Sequence, residues 1–469
     1  MSMPEYDLAI IGAGAAGLIA ADFAVQLGAR TALLEKGLIG GDCTWTGCVP
    51  SKSLIKVATV AHHARVAARY GVQVGTPVVD MAQVRKYLRA TIQHIYEPTM
   101  PDALRKKGMD VLLGATRFLD AHTLEVGTQQ IRAEKILINT GAEPRIPELP
   151  GLAEVPFSTY HQIFDNDRLP QRMLIIGGGP IGCEIAQAYQ RLGAQVTLIA
   201  DRLLPSEDPE VSDVMRRVFE QEGIQRLAAK AESVSQAGAS ITVQTRAGHA
   251  TGDLLFVATG RAPLVHHLGL EAAKVRYSER GIQVNDHLQT SASHIYAAGD
   301  VIGGPQYSHL AGWQGFQAVR NALLPGNNAG TSDALPRITF TVPEVAQIGL
   351  TEQRARERYE DDLQVKTFDI GKVDRAVNED DKLGLIKIIA RRNGRIVGAS
   401  IVGERAGEAI TEIGVAMRNK LTLSDLAATI HPYPTYSTGI QLLATRMAYD
   451  SAFSGASGKI LRGISALWR

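Results

Sequence analysis

YDLAIIGAGAAG, residues 6–17, runs a short apolar strand directly into a turn and the start of a helix, with Gly12, Gly14 and Gly17 in G-x-G-x-x-G order. The first glycine permits a tight turn, the second lets a pyrophosphate approach the backbone, and the third lets helix and strand pack closely. The helix N-terminus, where Ala16 sits, offers unpaired N–H groups and a partial positive charge to phosphates. The next strand-like run, RTALLEK, ends in Glu35 and Lys36; Glu35 lies eighteen positions past Gly17, where a carboxylate binds a ribose hydroxyl. One such fingerprint is weak evidence by itself, but the chain holds two. RMLIIGGGPIGCEIAQ carries Gly177, Gly179 and Gly182, and its following strand, QVTLIADR, ends at Asp201, nineteen positions past Gly182. Two full units on one chain predict two bound dinucleotides.

A chain of 469 residues is long enough for about two to four domains. Its 49 basic and 48 acidic side chains leave a formal charge of +1, so nothing global draws it to nucleic acid or an anionic membrane, and a small partner is expected. Three cysteines exclude a secreted disulfide framework and suit a reducing, cytoplasmic setting. The apolar run LAIIGAGAAGLIAA is fourteen residues long, with no basic region before it, and reads as neither signal peptide nor membrane span.

Proline and glycine mark the seams. TGAEPRIPELPG, residues 140–151, reads as a linker, and a Gly/Asn-rich strip covers 324–336. Between them, ATGRAP and HIYAAGDVIGG read as strands ending in glycine turns. Beyond 336, strand-like KLGLIKIIA and GRIVGASIVG precede helix-like EAITEIGVAMRN, which predicts an α+β domain. The closing SGASGKILRGISALWR reads as a Gly/Ser link and a short basic segment with Lys459, Arg462 and Arg469.

Two of the three cysteines fall in GGDCTWTGCVPSK, residues 40–52. The chain there is expected to leave a Gly-Gly turn and enter a helix near Cys43, with Pro50 placed to kink it. The spacing of Cys43 and Cys48 allows a disulfide, and helix N–H groups lower a thiol's pKa. A zinc site and a pair of unlinked buried thiols are the competing readings. No metal site is expected. Cys183, at the start of the second fingerprint helix, reads as a packed hydrophobe.

With both fingerprints, the C-x4-C-V-P-S-K segment, the ATG and GD turns and the C-terminal α+β region, the chain resembles the pyridine nucleotide-disulfide oxidoreductases, a family that includes glutathione reductase, lipoamide dehydrogenase and mercuric reductase. The resemblance implies an α/β architecture of two Rossmann-like dinucleotide-binding domains and a C-terminal α+β dimerisation domain. FAD would be held by 1–150 and completed by 271–335, NADH or NADPH by 151–270, and the dimer contacts made by 336–469. It further implies hydride transfer to the flavin and onward passage of electrons to the cysteine pair. Cys48 resembles the thiol against the flavin, Cys43 the outer thiol that attacks the acceptor, Lys52 the lysine beside the reactive flavin nitrogen, and Glu184 its ionic partner. Asp300 resembles the carboxylate at the ribityl-phosphate region. Cofactor contacts are also implied for Gly41, Asp42, Ala115, Thr140, Gly141, Gly260, Arg261, Gln306, Tyr307 and Ser308. A homodimer with a shared active site would bring Tyr433 and His431 from the partner subunit.

The pattern breaks near the C-terminus. Disulfide reductases of this family close with a His-Pro pair and a Glu five positions after the His. Here the stretch is HPYPTYSTG, residues 431–439, and no glutamate follows residue 431. One alignment puts Tyr433 at the histidine and Thr438 at the glutamate; the other keeps His431 and puts Tyr436 at the glutamate. A phenol with a pKa near 10 is a poor base at neutral pH. Tyr433 is similar to the mercuric reductase pattern, but that enzyme's C-terminal cysteine pair is absent, since no cysteine follows Cys183. Asp42 and Trp45 stand where relatives commonly have Thr and Asn. Asp201 favours NADH, whereas Arg202 would suit a 2′-phosphate. The expected activity is an FAD-dependent NAD(P)H oxidoreductase that reduces an unidentified small-molecule or small-protein acceptor. Dihydrolipoamide dehydrogenase and a flavin-bound redox sensor are the alternatives.

Overall fold

Glu5–Ile11 pairs in parallel with Thr31–Glu35 on one side and with Gln129–Ile138 on the other. Its side chains alternate between two cores: Ala9 and Ile11 join Leu34 and Ile136 on one face, while Leu8 and Ile10 join Leu33 and Leu137 on the other. A strand buried on both faces must be apolar throughout, which is why DLAII carries no polar residue after Asp7. The computed structural model describes residues 3, 5–453 and 455–468 and divides into two units.

The first unit comprises residues 1–177, 191–195 and 231–332. Its seven-stranded sheet runs Asp110–Leu113, Thr31–Glu35, Glu5–Ile11, Gln129–Ile138, Thr123–Val126, Thr116–Phe118. Gln129–Ile138 is long enough to pair antiparallel with Thr123–Val126 at its start and parallel with Ile295–Ala297 at its end. The carboxyl ends of the parallel strands therefore gather on one edge, the side where open α/β sheets bind ligands. Helices Ala15–Gln26 and Ser308–Leu323 touch backbone to backbone there: a Cβ on Gly315 would lie 2.3 Å from the Ala16 carbonyl oxygen. The unit also holds the parallel pair Arg172–Ile176 with Leu254–Val257 and an antiparallel meander over 231–252.

The second unit comprises residues 178–190, 196–230 and 333–469. Its five-stranded antiparallel sheet has the order Pro336–Thr339, Glu344–Gly349, Ile396–Gly403, Leu385–Arg391, Leu363–Asp369. Helices Ala406–Arg418 and Ser437–Phe453 bury Ile410, Ile413, Ile440 and Leu443 in the same core as Ile386, Ile388 and Ile401 of the sheet. Lys387 is 1% exposed, and its ammonium lies 2.7 Å from Glu352, 3.0 Å from Glu210 and 3.4 Å from Asp208, itself 2% exposed. The predicted α+β character of this region is thus realised.

Three local expectations are corrected. Ala142–Pro144 of the proline-rich strip is no free linker; it forms a two-stranded ribbon with Arg261–Pro263. The cysteine segment is not one kinked helix but two, Gly41–Trp45 and Cys48–Val66, separated at Thr46 and Gly47. Pro50 is the third residue of the second helix, where its missing N–H has no partner to lose. The Gly/Ser-rich tail is helical over Gly455–Leu467; Ser454 and Arg469 lie outside the described residues. Among the described residues no helix is long and apolar enough to cross a membrane.

Candidate active site

The first fingerprint has the geometry its glycines require. Gly12 has φ +108°, and a Cβ on Gly17 would fall 2.0 Å from the Gly12 carbonyl oxygen, so neither position takes a side chain without strain. Gly14 has no heavy atom within 4 Å of where a Cβ would stand. That open face, at the N-terminus of Ala15–Gln26, is the room a pyrophosphate needs. Glu35 closes the back of the turn by accepting from Ala13 N–H and Gly37 N–H, both at 2.8 Å. Asn139 donates to Gly12 O at 2.8 Å, while its buried Oδ1 has no hydrogen-bond partner among the described residues. Open glycine faces recur at Gly141, φ +79°, and Gly260, φ +118°, and Thr140 donates to Leu264 O. Ala16 is buried, whereas Lys36 and Ala115 are exposed. These features fit an extended, phosphate-bearing cofactor such as FAD.

The thiols sit beside this cradle. A Cβ on Gly41 would lie 3.1 Å from Gly14 Cα, which places the short helix Gly41–Trp45 against the fingerprint turn. Gly47 folds the chain back: a Cβ there would meet Asp42 O at 2.8 Å and Cys43 Cα at 3.3 Å. The fold-back brings Cys43 and Cys48 into side-chain hydrogen-bond contact. That contact, followed by burial, holds the Cys43 thiol well above its ordinary range. Cys48 opens its helix, is exposed, and lies 3.4 Å from the hydroxyl of Ser308, itself the first residue of Ser308–Leu323. Lys52 follows one turn later and is half-buried, as are Gln306 and Tyr307. Trp45 is turned to its own neighbourhood, with Nε1 donating to Ile39 O at 2.8 Å and its ring edge-on to Tyr96, 5.0 Å between centroids. All three cysteines are thiols here; Cys183 is fully buried, and burial pushes it up to about 12.

A polar cluster adjoins the thiol loop. Arg261 donates to Asp300 at 2.5 Å, to Asp42 at 2.6 Å and to the Tyr160 hydroxyl at 3.1 Å, and Tyr160 donates to Asp42 at 3.1 Å. Burial works against the Arg261 charge, but Asp300, Tyr160 and Asp42 offset it and the group stays firmly protonated. Burial raises Asp300 above the ordinary carboxylate range. Tyr160 had no signal in the sequence.

In the second fingerprint, Gly177 has φ +122° and a Cβ on it would strike Ala258 O at 2.2 Å. Gly179 again has open space, and Gly182 is buried. Glu184 is 6% exposed and accepts from Phe340 N–H at 2.9 Å. Asp201 and Arg202 are both exposed at the strand end.

The closing segment has its own partners. His431 Nε2 lies 2.6 Å from Glu412 and its Nδ1 2.9 Å from Thr429 O. Tyr433 is 72% exposed and donates to Asp374 at 2.7 Å, a hydrogen bond that raises its pKa. Tyr436 is buried and donates toward Glu379 and Asp381, and Thr438 donates to Thr435 O. Among the described residues no group of three or more His, Cys, Asp or Glu has metal-binding geometry.

Residues 6–315 match the family described as Pyridine nucleotide-disulphide oxidoreductase, and residues 335–444 match its dimerisation domain. The mercuric reductase of Bacillus cereus is 35% identical over 448 residues, covering 93% of this chain and 71% of that protein. The mercuric reductase of Streptomyces lividans is also 35% identical, over 466 residues, with 95% and 97% covered. The Cu(II) complex of the HOCl-induced flavoprotein disulfide reductase RclA from Escherichia coli superposes with a TM-score of 0.85 at 28% identity, covering 95% of this chain and all of that one.

Proposed function

Because the chain belongs to the pyridine nucleotide-disulphide oxidoreductase family, whose members use FAD and NAD(P)H, we propose that this flavoenzyme passes electrons through Cys43 and Cys48 to a thiol-binding metal cation. The observation that carries this reading is the contact between two thiols together with a closing segment whose histidine, His431, has both ring nitrogens engaged by Glu412 and Thr429 O. Reducing a disulfide acceptor requires proton delivery to each departing thiolate, and the His431–Glu412 pair, whose second ring nitrogen is held by Thr429 O, turns no nitrogen toward an acceptor. Hg(II), a soft cation, and Cu(II), whose reduced form Cu(I) is soft, bind sulfur directly and take up no proton on reduction.

Bound FAD supplies the ring that accepts hydride from NAD(P)H and hands two electrons to the cysteine pair. The protein's own residues do the rest. Gly12, Gly14 and Gly17 shape the pyrophosphate cradle, and Gly177, Gly179 and Gly182 the nicotinamide cradle, in the domains 1–150 with 271–335 and 151–270. Cys48 takes the inner place and Cys43 the outer one. Lys52 would hold a positive charge beside the bound cofactor and so favour its reduced, anionic form. The dithiol then returns to the disulfide, losing two electrons and two protons, as one Hg(II) becomes Hg(0) or two Cu(II) become two Cu(I). Tyr433, whose proton is engaged by Asp374, presents phenolic lone pairs. In a homodimer formed through 336–469, that oxygen would face the partner's thiols. Support comes from the mercuric reductase relatives and from RclA, whose structure was solved with Cu(II).

The test is an acceptor screen under anaerobic stopped flow, with NADH and NADPH in turn, scored by reoxidation of the two-electron-reduced enzyme. Turnover with Hg(II) or Cu(II) exceeding that with glutathione disulfide or lipoamide by about tenfold or more is expected. Efficient disulfide turnover with inert metals would sink the proposal and restore dihydrolipoamide dehydrogenase.

A further inference from the structure

The segment Gly41–Trp45 carries Cys43, and its five residues are half-buried, none of them fully. Its main chain is tied within itself by Thr46 N–H donating to Asp42 O at 2.9 Å, and just before it Gly40 N–H donates to Ala13 O of the fingerprint turn at 2.8 Å. Trp45 anchors one end through Ile39 and Tyr96. At the other end the side chain of Asp42 reaches 219 residues along the sequence to Arg261 and 118 to Tyr160. The same guanidinium holds Asp300, at the start of the turn after Ile295–Ala297.

The backbone of Asp42 is also the surface on which the second cysteine folds back. A Cβ on Gly47 would meet Asp42 O at 2.8 Å and its carbonyl carbon at 3.2 Å, so the approach of Cys48 to Cys43 depends on where Asp42 stands. Two side chains, themselves hydrogen-bonded to each other, converge on one oxygen of that carboxylate: Tyr160 donates to Oδ2 at 3.1 Å and Arg261 pairs with it at 2.6 Å.

Resting on the reading of Cys43 and Cys48 as a redox pair, we propose that Asp42 is a positioning residue for them: with Arg261 as strut, it pre-sets the two sulfurs at bonding approach. Removing the strut frees the loop, lowers the effective concentration of one thiol at the other, and makes the disulfide easier to reduce.

Holoenzyme equilibrated in glutathione redox buffers, quenched with a maleimide and read by mass spectrometry gives the equilibrium constant for protein dithiol plus oxidised glutathione going to protein disulfide plus two reduced glutathiones. Asp42→Ala is expected to lower that constant about tenfold, about 30 mV for a two-electron couple. Asp42→Asn, which keeps an acceptor oxygen but no charge, is expected to fall between it and the wild type, and it serves if the alanine variant does not fold. Arg261→Met and the double variant Asp42→Ala with Arg261→Met are expected to match each other, because the two side chains act as one strut. A constant unchanged in both Asp42 variants overturns the proposal, as do independent, multiplying effects. A wild-type pair that forms no disulfide in any buffer overturns the redox reading itself, and the proposal with it.

Discussion

The imidazole of His431 is clamped between Glu412 Oε1, 2.6 Å from Nε2, and Thr429 O, 2.9 Å from Nδ1, with the ring 4% exposed. Both nitrogens face acceptors, so the ring anchors the segment 431–438 to the helix Ala406–Arg418 and has no free nitrogen to offer an acceptor. His431→Asn and Glu412→Gln should each lower stability by about 1–2 kcal/mol in urea titrations, and the double variant should lose little more than either alone. Tyr433→Phe, at an exposed position, should change stability by less than about 0.5 kcal/mol while slowing metal reduction. Loss of turnover in His431→Asn at unchanged stability would return that residue to proton transfer.

The two thiols should separate spectroscopically. Anaerobic addition of NADH or NADPH to the wild type is expected to produce a long-wavelength absorbance band that depends on the thiolate nearest the cofactor. Cys43→Ser should keep the band and Cys48→Ser should lack it. The reverse pattern would exchange their roles.

Three glycines predict two kinds of outcome. Gly14→Ala meets nothing within 4 Å and should leave the fold's stability within about 0.5 kcal/mol of wild type, yet release FAD on gel filtration. Gly17→Ala and Gly315→Ala place a methyl group 2.0 Å and 2.3 Å from carbonyl oxygens and should cost about 2–3 kcal/mol in thermal or urea unfolding. Equal retention of FAD by Gly14→Ala would refute the cradle.

Burial holds the Asp381 carboxyl at about 6, above the usual value of about 4 for an aspartate. The folded chain keeps that proton between those two pH values and the unfolded chain releases it. Stability therefore falls as pH rises from about 4 to about 6 and is level beyond. Asp381→Asn retains an oxygen for Glu404 N–H and Tyr436, so it should stabilise the protein by about 1 kcal/mol above pH 6, with no gain below about pH 4. Melting temperatures across that range decide it.

The features visible in the sequence were those whose physics is local. Gly12, Gly14 and Gly17 declare a strand, a turn and a helix within twelve residues, and the repeat at Gly177 confirms the theme. The apolar runs KLGLIKIIA and GRIVGASIVG were equally plain as strands of the second unit. Hidden were the contacts that join distant segments: Asp42 with Arg261, His431 with Glu412, Tyr433 with Asp374. Polar residues of this kind are as common on solvated surfaces, and only the fold decides which carboxylate finds which cation. The break in the cysteine helix was missed for another reason. Pro50 drew attention as the disruptive residue, but Gly47, pressed against Asp42 O, is where the chain turns.

The ammonium of Lys387 among Asp208, Glu210 and Glu352 restricts how this chain can change over generations. A neutral residue at 387 strands the buried Asp208 without its cation, whereas a neutral residue at 208 leaves the lysine with Glu210 and Glu352, both of which reach solvent. Drift is therefore ordered at this site: the charge at 208 can be lost before the charge at 387, and the reverse order is the costly one.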